Sequence, residues 1–236
     1  MPSPTLQRLK LSPNTKKILA ANQANLEQSS SHLLNELPPI EVLDFQDQFL
    51  KDTQTLYLAI VAGYGSGKTF IAVMKAIWLS WLNAIPNKKG CVGTLYEPTH
   101  EMVVELLIPE LEDALTRMGI KYEVKLSPPI RFTLDFAHGR AQIYLKSFQN
   151  WQRIVGSNMA WAGVDEMDTI NTDIAKKSFE KLMARVRVGK VNQIFVTTTP
   201  EGFKYTYKFF EKDAVNDDGS ARTDRRIIRA CTLDLS

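Results

Sequence analysis

Residues 56–85 read LYLAIVAGYGSGKTFIAVMKAIWLSWLNAI, and this stretch decides the fold. Residues 56–62 form a continuous apolar run, as expected for a strand buried on both faces of a sheet. A glycine-rich turn follows at residues 63–67, and the apolar residues 68–85 predict a buried helix. A strand, a glycine-rich turn and a helix in this order are the context of a phosphate-binding loop, or P-loop.

The turn fits the P-loop pattern with alanine in place of the first glycine. It reads Ala62-Gly63-Tyr64-Gly65-Ser66-Gly67-Lys68-Thr69. Glycines let the backbone curl so that its N–H groups converge on phosphate oxygens, and the helix start adds a positive dipole end. Lys68 can reach the β- and γ-phosphates, and the Thr69 hydroxyl can ligate Mg²⁺. The alternative, an accidental surface turn, leaves the matching strand and helix unexplained. The pattern predicts a nucleoside triphosphate but no particular reaction.

A second signature is the apolar segment at residues 160–164, which ends in Asp165 and Glu166. In a P-loop fold, an aspartate at the tip of a neighbouring strand holds Mg²⁺, usually through water. A glutamate directly after it can orient and deprotonate the attacking water. An acidic strand end exposed to solvent is the alternative. Asp168, one turn further on, is expected to be a solvated surface acid.

The remaining pattern alternates strands with helices, which predicts an α/β domain with a mainly parallel central sheet. Some of the short strands in the middle of the chain are open to an antiparallel arrangement. Residues 1–38 are polar and predict an N-terminal helical arm or accessory segment that ends before Pro39. Residues 39–236 predict the P-loop domain. The further strands are expected at residues 91–96, 122–126, 130–134, 141–146, 193–198 and 226–231, and the further helices at residues 45–50, 99–118, 174–186 and 205–212.

The composition is that of a folded protein with a full core. The chain has 236 residues, of which 44% are hydrophobic and 23% charged, and this excludes global disorder, collagen and a disulfide scaffold. Two distant cysteines favour a reducing compartment. The most apolar stretch, residues 70–85, is interrupted by Lys75 and is too short to span a bilayer. A net charge of +3 permits a nucleic-acid partner without demanding one.

Among P-loop proteins, the residues favour an ATPase that hydrolyses with water. The guanine-reading pattern Asn-Lys-x-Asp is absent, since residues 87–90 read Asn-Lys-Lys-Gly. The sequence of residues 165–168 is similar to a helicase box, although such helicases carry two tandem motor domains and this chain has room for one. A helicase-like, nucleic-acid-dependent ATPase stays open as an alternative. A third class is an ATP-binding module that does not hydrolyse, and Glu166 argues against it.

Taken in order, the motifs resemble the ATPase domain of the large terminase subunit of tailed bacteriophages, the DNA-packaging motor. The resemblance covers residues 43–236 and rests on Gln46, the P-loop, the acid-ended segment and the threonine-proline strand end at residues 196–202, VTTTPEG. The threonine-proline strand end makes the match specific. The spacing of Ser147, Arg153 and Gly156 is also similar. The resemblance implies a P-loop NTPase fold of the ASCE or RecA-like type, with helices flanking the sheet.

The resemblance also implies residue roles. Gln46 would contact adenine, and Thr197, Thr198 and Thr199 would sense the γ-phosphate and relay its loss. Tyr64 occupies the position at which some family members have an arginine, so Arg153 becomes the candidate arginine finger, acting on a neighbouring subunit. The alternatives are an exposed helix glutamine, threonines that merely favour a strand, and a surface charge at residue 153. Four other arginines compete for the finger: Arg131, Arg140, Arg185 and Arg187.

The partners that the resemblance implies are ATP, Mg²⁺, double-stranded DNA, the portal protein of the procapsid and the small terminase subunit. It also implies a homo-oligomeric ring when assembled, a monomer in isolation, and the host cytoplasm, with no membrane. Complete large terminases continue into a nuclease domain. No spaced set of acids is left over for a two-metal nuclease site, so an isolated ATPase domain without nuclease activity is expected. Two basic faces are candidates for DNA contact or are simply solvated: Lys204, Lys208 and Lys212, and Lys176, Lys177, Lys181 and Arg185.

Overall fold

The computed structural model describes residues 42–87, 89–154, 158–216 and 218–230, so the predicted arm at residues 1–38 lies outside the described residues. The strands are β1 Tyr57–Ala62, β2 Cys91–Glu97, β3 Lys121–Lys125, β4 Arg131–Phe136, β5 Gly139–Ser147, β6 Trp161–Val164, β7 Gln193–Thr198 and β8 Arg225–Ala230. The α-helices are α1 Asp44–Lys51, α2 Lys68–Leu82, α3 His100–Met102, α4 Ile108–Arg117, α5 Thr172–Met183 and α6 Tyr205–Tyr207. Short 3₁₀ helices lie at Phe148–Arg153 and Met167–Thr169.

Within the described residues the strands form one eight-stranded sheet in the order β3-β4-β5-β2-β6-β7-β1-β8. All neighbours from β5 to β8 pair in parallel, whereas β3 and β4 add an antiparallel edge next to β5. The sheet is mainly parallel and flanked by helices, which confirms the predicted α/β class. Parallel strands end at the same edge of a sheet, so β2, β6, β7 and β1 present their carboxyl ends side by side.

The core is built on the central strands, which are buried along almost their whole length. Both β6 and β7 are buried at every residue, as continuous apolar runs in a two-sided sheet should be. Two glycines allow close packing there. A Cβ at Gly93 would lie 1.9 Å from the Trp161 ring, and one at Gly163 would lie 2.2 Å from the Phe195 ring. Large aromatic side chains therefore fill the space that these glycines leave.

Some predicted helices differ from the observed ones. The predicted helix at residues 99–118 contains a π-helical stretch, Val103–Leu107, between α3 and α4. The predicted helix at residues 205–212 is a single α-turn, α6, followed by the π-helix Lys208–Lys212. Hydrophobic periodicity near 3.6 residues does not distinguish these local variants from a regular helix. Among the described residues, no helix combines the length and hydrophobicity needed to cross a membrane.

A buried lysine joins the first two helices. Lys75, in the middle of α2, is fully buried, and its Nζ donates to the carbonyl oxygens of Phe49, Leu50 and Asp52 at 2.9, 2.9 and 2.6 Å. These are end carbonyls of α1 and its C-cap, which have no partner within the helix. Burial lowers the pKa of Lys75 to about 7, and the charge of Asp52 opposes that shift. The lysine that interrupts the apolar stretch thus fixes α1 against the helix of the P-loop.

Candidate nucleotide site

The P-loop connects β1 to α2 at the carboxyl edge of the sheet. Gly65 and Gly67 have φ values of 74° and 73°, the left-handed region that side chains disfavour. The Lys68 side chain is buried, and its Nζ donates to the carbonyl oxygen of Gly63 at 3.0 Å. The Ser66 hydroxyl donates to the same oxygen at 2.7 Å. The loop is therefore curled, and Lys68 folds back over it toward the place where phosphates would lie.

Gln46 lies directly beneath this loop. Its Nε2 donates to the carbonyl oxygen of Ser66 at 3.0 Å, and its Oε1 accepts a hydrogen bond from the Leu43 N–H at 3.0 Å. The side chain is buried, so the alternative of an exposed helix glutamine is wrong. The structure thus shows Gln46 supporting the P-loop, while its contact with adenine stays a prediction.

Asp165 brings together three distant parts of the sequence. Its Oδ2 accepts a hydrogen bond from the Thr69 hydroxyl at 2.6 Å, and its Oδ1 accepts one from the Thr197 hydroxyl at 2.5 Å. The N–H of Glu166 donates to Oδ1 as well, at 3.0 Å. Asp165 is almost completely buried. The P-loop helix, the acid-ended strand β6 and the threonine strand β7 are therefore joined through one carboxylate.

Glu166 adopts a left-handed backbone conformation, with a φ of 48°, the only non-glycine residue with positive φ among the described residues. Such a conformation costs about 1–3 kcal/mol and is often kept at functional sites. It turns the carboxylate toward the P-loop, where Oε1 lies 3.7 Å from the Lys68 Nζ. Thr199 donates to the carboxylate from its N–H and from its hydroxyl, both at 3.2 Å. Lys68 and Thr199 thus orient Glu166 from two sides.

Asp168 is not the solvated surface acid that the sequence analysis expected. It is 3% exposed, its N–H donates to the Thr198 hydroxyl at 3.0 Å, and its Oδ1 accepts from the Thr206 N–H at 3.0 Å. Burial raises its pKa. Lys204 donates to the Asp168 carbonyl oxygen at 2.7 Å and pairs with Glu201, so it belongs to this network and not to a free basic face. The 3₁₀ helix after Glu166 turns Asp168 inward, which a sequence pattern does not reveal.

The three threonines of the β7 end therefore contact the acidic segment one by one. Thr197 binds the Asp165 side chain, Thr198 the backbone of Asp168, and Thr199 the Glu166 side chain. All three are buried. If these threonines only favoured a strand, there would be no reason for each of them to contact a residue of the acidic segment.

The oxygen atoms around Asp165 fit a hydrated Mg²⁺. Mg²⁺ prefers hard oxygen ligands, keeps several water molecules and usually binds through one or two carboxylates together with substrate phosphates. The Thr69 hydroxyl and the Asp165 carboxylate offer such oxygens beside the P-loop. Within the described part of the chain, no group of three or more His, Cys, Asp and Glu side chains could hold a metal ion. Thr69 and Asp165 would hold Mg²⁺ together with the phosphates of a nucleotide.

One further carboxylate lies at this edge, at a position that was not among the predicted site residues. Glu97, the last residue of β2, has no exposed surface, and no described group donates a hydrogen bond to its carboxylate oxygens. Burial, the nearby charges of Asp165 and Glu166, and the hydrogen bond that the protonated acid makes to Asp165 raise the pKa of Glu97 to about 9. An acid at the end of an apolar strand was the available signal, the same one that identified Asp165.

Arg153 ends the 3₁₀ helix Phe148–Arg153, and its side chain lies outside the described residues, as does Gly156. The same segment borders a cavity of about 540 Å³, to which Ser147, Asn150 and Ile154 contribute.

Tyr64 is 79% exposed, and its ring centroid lies 5.6 Å from the Lys68 Nζ. The arginine-free P-loop therefore presents an aromatic ring to solvent beside the phosphate position.

The fold and the site geometry together define a P-loop NTPase domain. Residues 59–231 match the family model described as terminase large subunit, T4-like-virus type, N-terminal. The chain therefore belongs to this family of large terminase subunits. No match is found among curated protein sequences.

Several solved structures share the fold. The large terminase of a thermophilic bacteriophage in complex with ADP is 14% identical, with a TM-score of 0.62 over 81% of this chain and 45% of that one. The large terminase ATPase domain of Thermus phage P74-26 is 16% identical, with a TM-score of 0.59 over 86% of this chain and 85% of that one. The N-terminal domain of the bacteriophage phi29 DNA packaging ATPase is 15% identical, with a TM-score of 0.52 over 80% and 97%. The chain thus spans less than half the length of the first of these proteins.

Proposed function

We propose that this chain hydrolyses ATP with Mg²⁺ and that, in the assembled terminase, hydrolysis drives double-stranded DNA into a procapsid. The observation that carries the proposal is the continuous hydrogen-bonded connection from Thr69 of the P-loop helix through Asp165 to Thr197 of β7. Such a connection links the nucleotide site to a strand that has no nucleotide-binding pattern of its own. It is the arrangement expected of a motor, in which a change at the γ-phosphate must be transmitted.

Substrate binding falls to the P-loop and its support. The curled backbone at residues 63–67 offers N–H groups to the phosphates, and Lys68 exchanges its bond to the Gly63 carbonyl for one to a phosphate oxygen. Thr69, and Asp165 through water, would hold Mg²⁺. When bound, this ion neutralises charge on the β- and γ-phosphate oxygens. Gln46 would contact adenine through the hydrogen-bonding positions of its side-chain amide that are not already bonded to the P-loop.

Hydrolysis requires a base close to the γ-phosphate, and Glu166 is that base in this proposal. The oxygen of a water molecule attacks the γ-phosphorus, a proton passes to the Glu166 carboxylate, and the bond from the γ-phosphorus to the bridging oxygen breaks, which gives ADP and inorganic phosphate. The two hydrogen bonds from Thr199 hold the carboxylate in place. Thr197 contacts Asp165 directly, and Thr199 contacts Glu166. Departure of the phosphate would therefore alter the contacts at the end of β7.

The assembled state extends beyond this chain. Residues 39–236 would act as the ATPase domain and residues 1–38 as an accessory arm. Several copies would form a homo-oligomeric ring when assembled, while the isolated chain in dilute solution is a monomer. Arg153 would serve as the finger of a neighbouring subunit. Double-stranded DNA, the portal protein and the small terminase subunit are the partners in the host cytoplasm. Membership of the large terminase family supports this proposal.

Phosphate release with and without duplex DNA tests the proposed function. We expect Mg²⁺-dependent hydrolysis of ATP that duplex DNA stimulates, and no hydrolysis by Lys68→Ala. The absence of hydrolysis by the wild type, at concentrations at which it oligomerises, would contradict an ATPase. Separation of the strands of a forked duplex would instead indicate a helicase-like enzyme, because a packaging motor does not separate strands.

A further inference from the structure

Glu97 is a buried acid without a hydrogen-bond donor. It ends β2, it has no exposed surface, and no described residue donates a hydrogen bond to its carboxylate oxygens, although the protonated acid can itself donate to Asp165. Leaving a buried polar group unpaired costs about 1–3 kcal/mol, and more for a charged group. In native structures, such a group is commonly explained by a water molecule or an ion that binds there. The proposed mechanism makes no use of Glu97.

The strand register places Glu97 in a row with the groups around Asp165. Tyr96 pairs with Val164, and Val164 pairs with Val196, so the next positions along the parallel strands are Glu97, Asp165 and Thr197. Side chains at matching positions of neighbouring strands point to the same face of the sheet. Glu97 therefore lies on the side of Asp165 that is opposite to Thr197, on the carboxyl edge that the P-loop also occupies.

The protein donors in this row are already used by other acids. The Thr69 and Thr197 hydroxyls both donate to Asp165, and Thr199 and Lys68 face Glu166. Glu97 has the charges of Asp165 and Glu166 as neighbours. What the row lacks is a positive charge that brings O–H donors with it. A hydrated divalent cation supplies both, because each metal-bound water has two hydrogens to donate.

We propose that Glu97 accepts hydrogen bonds from the water shell of the Mg²⁺ ion that accompanies the nucleotide, and so positions that ion beside Asp165. The inference rests on the proposed function and adds a residue to its metal site. Glu97 would contact only the water molecules, which agrees with the absence, in the described residues, of a protein cluster that could hold a metal alone. It acts through those molecules and is a positioning residue.

The test is the affinity of the divalent ion in the nucleotide complex of Glu97→Gln, a change that keeps the size of the side chain and removes the acid. Binding of Mn²⁺ in the presence of ADP is followed by electron paramagnetic resonance, which does not depend on catalysis. Loss of an outer partner of a metal site typically costs 10–100-fold in metal affinity, and this is the expected weakening. ADP affinity in EDTA should change far less, because the metal is then absent. Glu180→Gln, at an exposed position of α5, is the matched control and should bind Mn²⁺ as the wild type does.

The outcomes separate this inference from the proposed function. Wild-type Mn²⁺ affinity in Glu97→Gln would overturn the role of Glu97 and leave the ATPase untouched. If the wild-type chain binds no ADP with Mn²⁺, both proposals fall together. Should Glu97→Gln fail to fold, Glu97→Asp keeps the acid but withdraws it by one methylene, and it should still weaken Mn²⁺ binding about 10-fold or more. Unchanged affinity in a folded Glu97→Asp would equally overturn the inference.

Discussion

Replacing Glu166 with glutamine removes the proposed base while the surrounding contacts stay in place. The side chain keeps its size, and one amide oxygen can still accept a hydrogen bond from Thr199, whose N–H and hydroxyl both lie 3.2 Å from the native carboxylate. Asp165 and its bonds to Thr69 and Thr197 are not touched. What disappears is the ability to take a proton from the attacking water.

The expected loss is about 10²–10⁴-fold in the rate of ATP turnover, the usual range for a general base. At about 1.36 kcal/mol for each factor of ten, this corresponds to about 2.7–5.4 kcal/mol of barrier height. Nucleotide affinity should follow a different course. Glu166 lies 3.7 Å from the Lys68 Nζ, so removal of its negative charge frees that lysine for the phosphates and lessens their repulsion. Affinity for ATP should therefore be kept or rise.

Two measurements on the same preparation check this prediction: steady-state phosphate release and the dissociation constant of ATP with Mg²⁺. Glu180→Gln makes the same chemical change at an exposed site and should leave both values unaltered. A Glu166→Gln variant that turns over at near the wild-type rate would refute the base assignment. A variant that no longer binds nucleotide would instead assign Glu166 to the metal or to the fold.

Four further predictions follow from other parts of the structure. Lys68→Ala should abolish ATP turnover in a phosphate-release assay, because it removes the ammonium group that lies over the P-loop; near-normal hydrolysis would mean that the P-loop interpretation is wrong. Arg153→Ala should be inactive alone but regain some hydrolysis when mixed with Lys68→Ala, since each supplies what the other lacks; mixtures that stay inactive where the wild type assembles count against a finger acting between subunits. Gly93→Ala should lower the unfolding free energy by about 1–3 kcal/mol or more, measured in urea, because its Cβ would meet the Trp161 ring at 1.9 Å. Lys75 loses its proton near pH 7 in the native state and near 10.5 in the unfolded chain, so between these values the unfolded state binds more protons and stability should rise with pH relative to Lys75→Met; a constant difference from pH 7 to 10 would show that the three carbonyls keep the ammonium charged.

The P-loop and the acid-ended strand could be predicted because each is a local pattern with a chemical reason. Glycines with positive φ, a lysine and a hydroxyl lie next to one another along the chain, so residues 62–69 reveal the loop without reference to distant parts. The central strands β1, β2 and β6 could be predicted for the same reason, since largely apolar runs signal burial on both faces. The antiparallel edge of β3 and β4 remained open in the sequence and is now settled.

What could not be predicted depends on which strands become neighbours. Nothing in the local sequence states that β7 lies between β6 and β1, and this order decides that Thr197 reaches Asp165. The burial of Asp168 depends on the 3₁₀ helix that contains it. The hydrogen-bond partners of Lys75 lie at the end of α1, more than 20 residues earlier in the sequence. Tertiary contacts decide which charged residues are buried. In the sequence, such residues are visible only as charged positions within an apolar pattern.

The position of β1 in the sheet has a consequence for how the chain acquires its structure. Among the described residues, β1 is the first strand along the chain, yet its two neighbours are β7 and β8, the last two. During synthesis, the antiparallel β3–β4–β5 meander can pair as soon as it leaves the ribosome, because its contacts are local. The P-loop strand must wait, with an exposed apolar edge, until β7 and β8 have been made. Nucleotide binding therefore comes late in folding, and retention on an ATP resin would report that the sheet has closed.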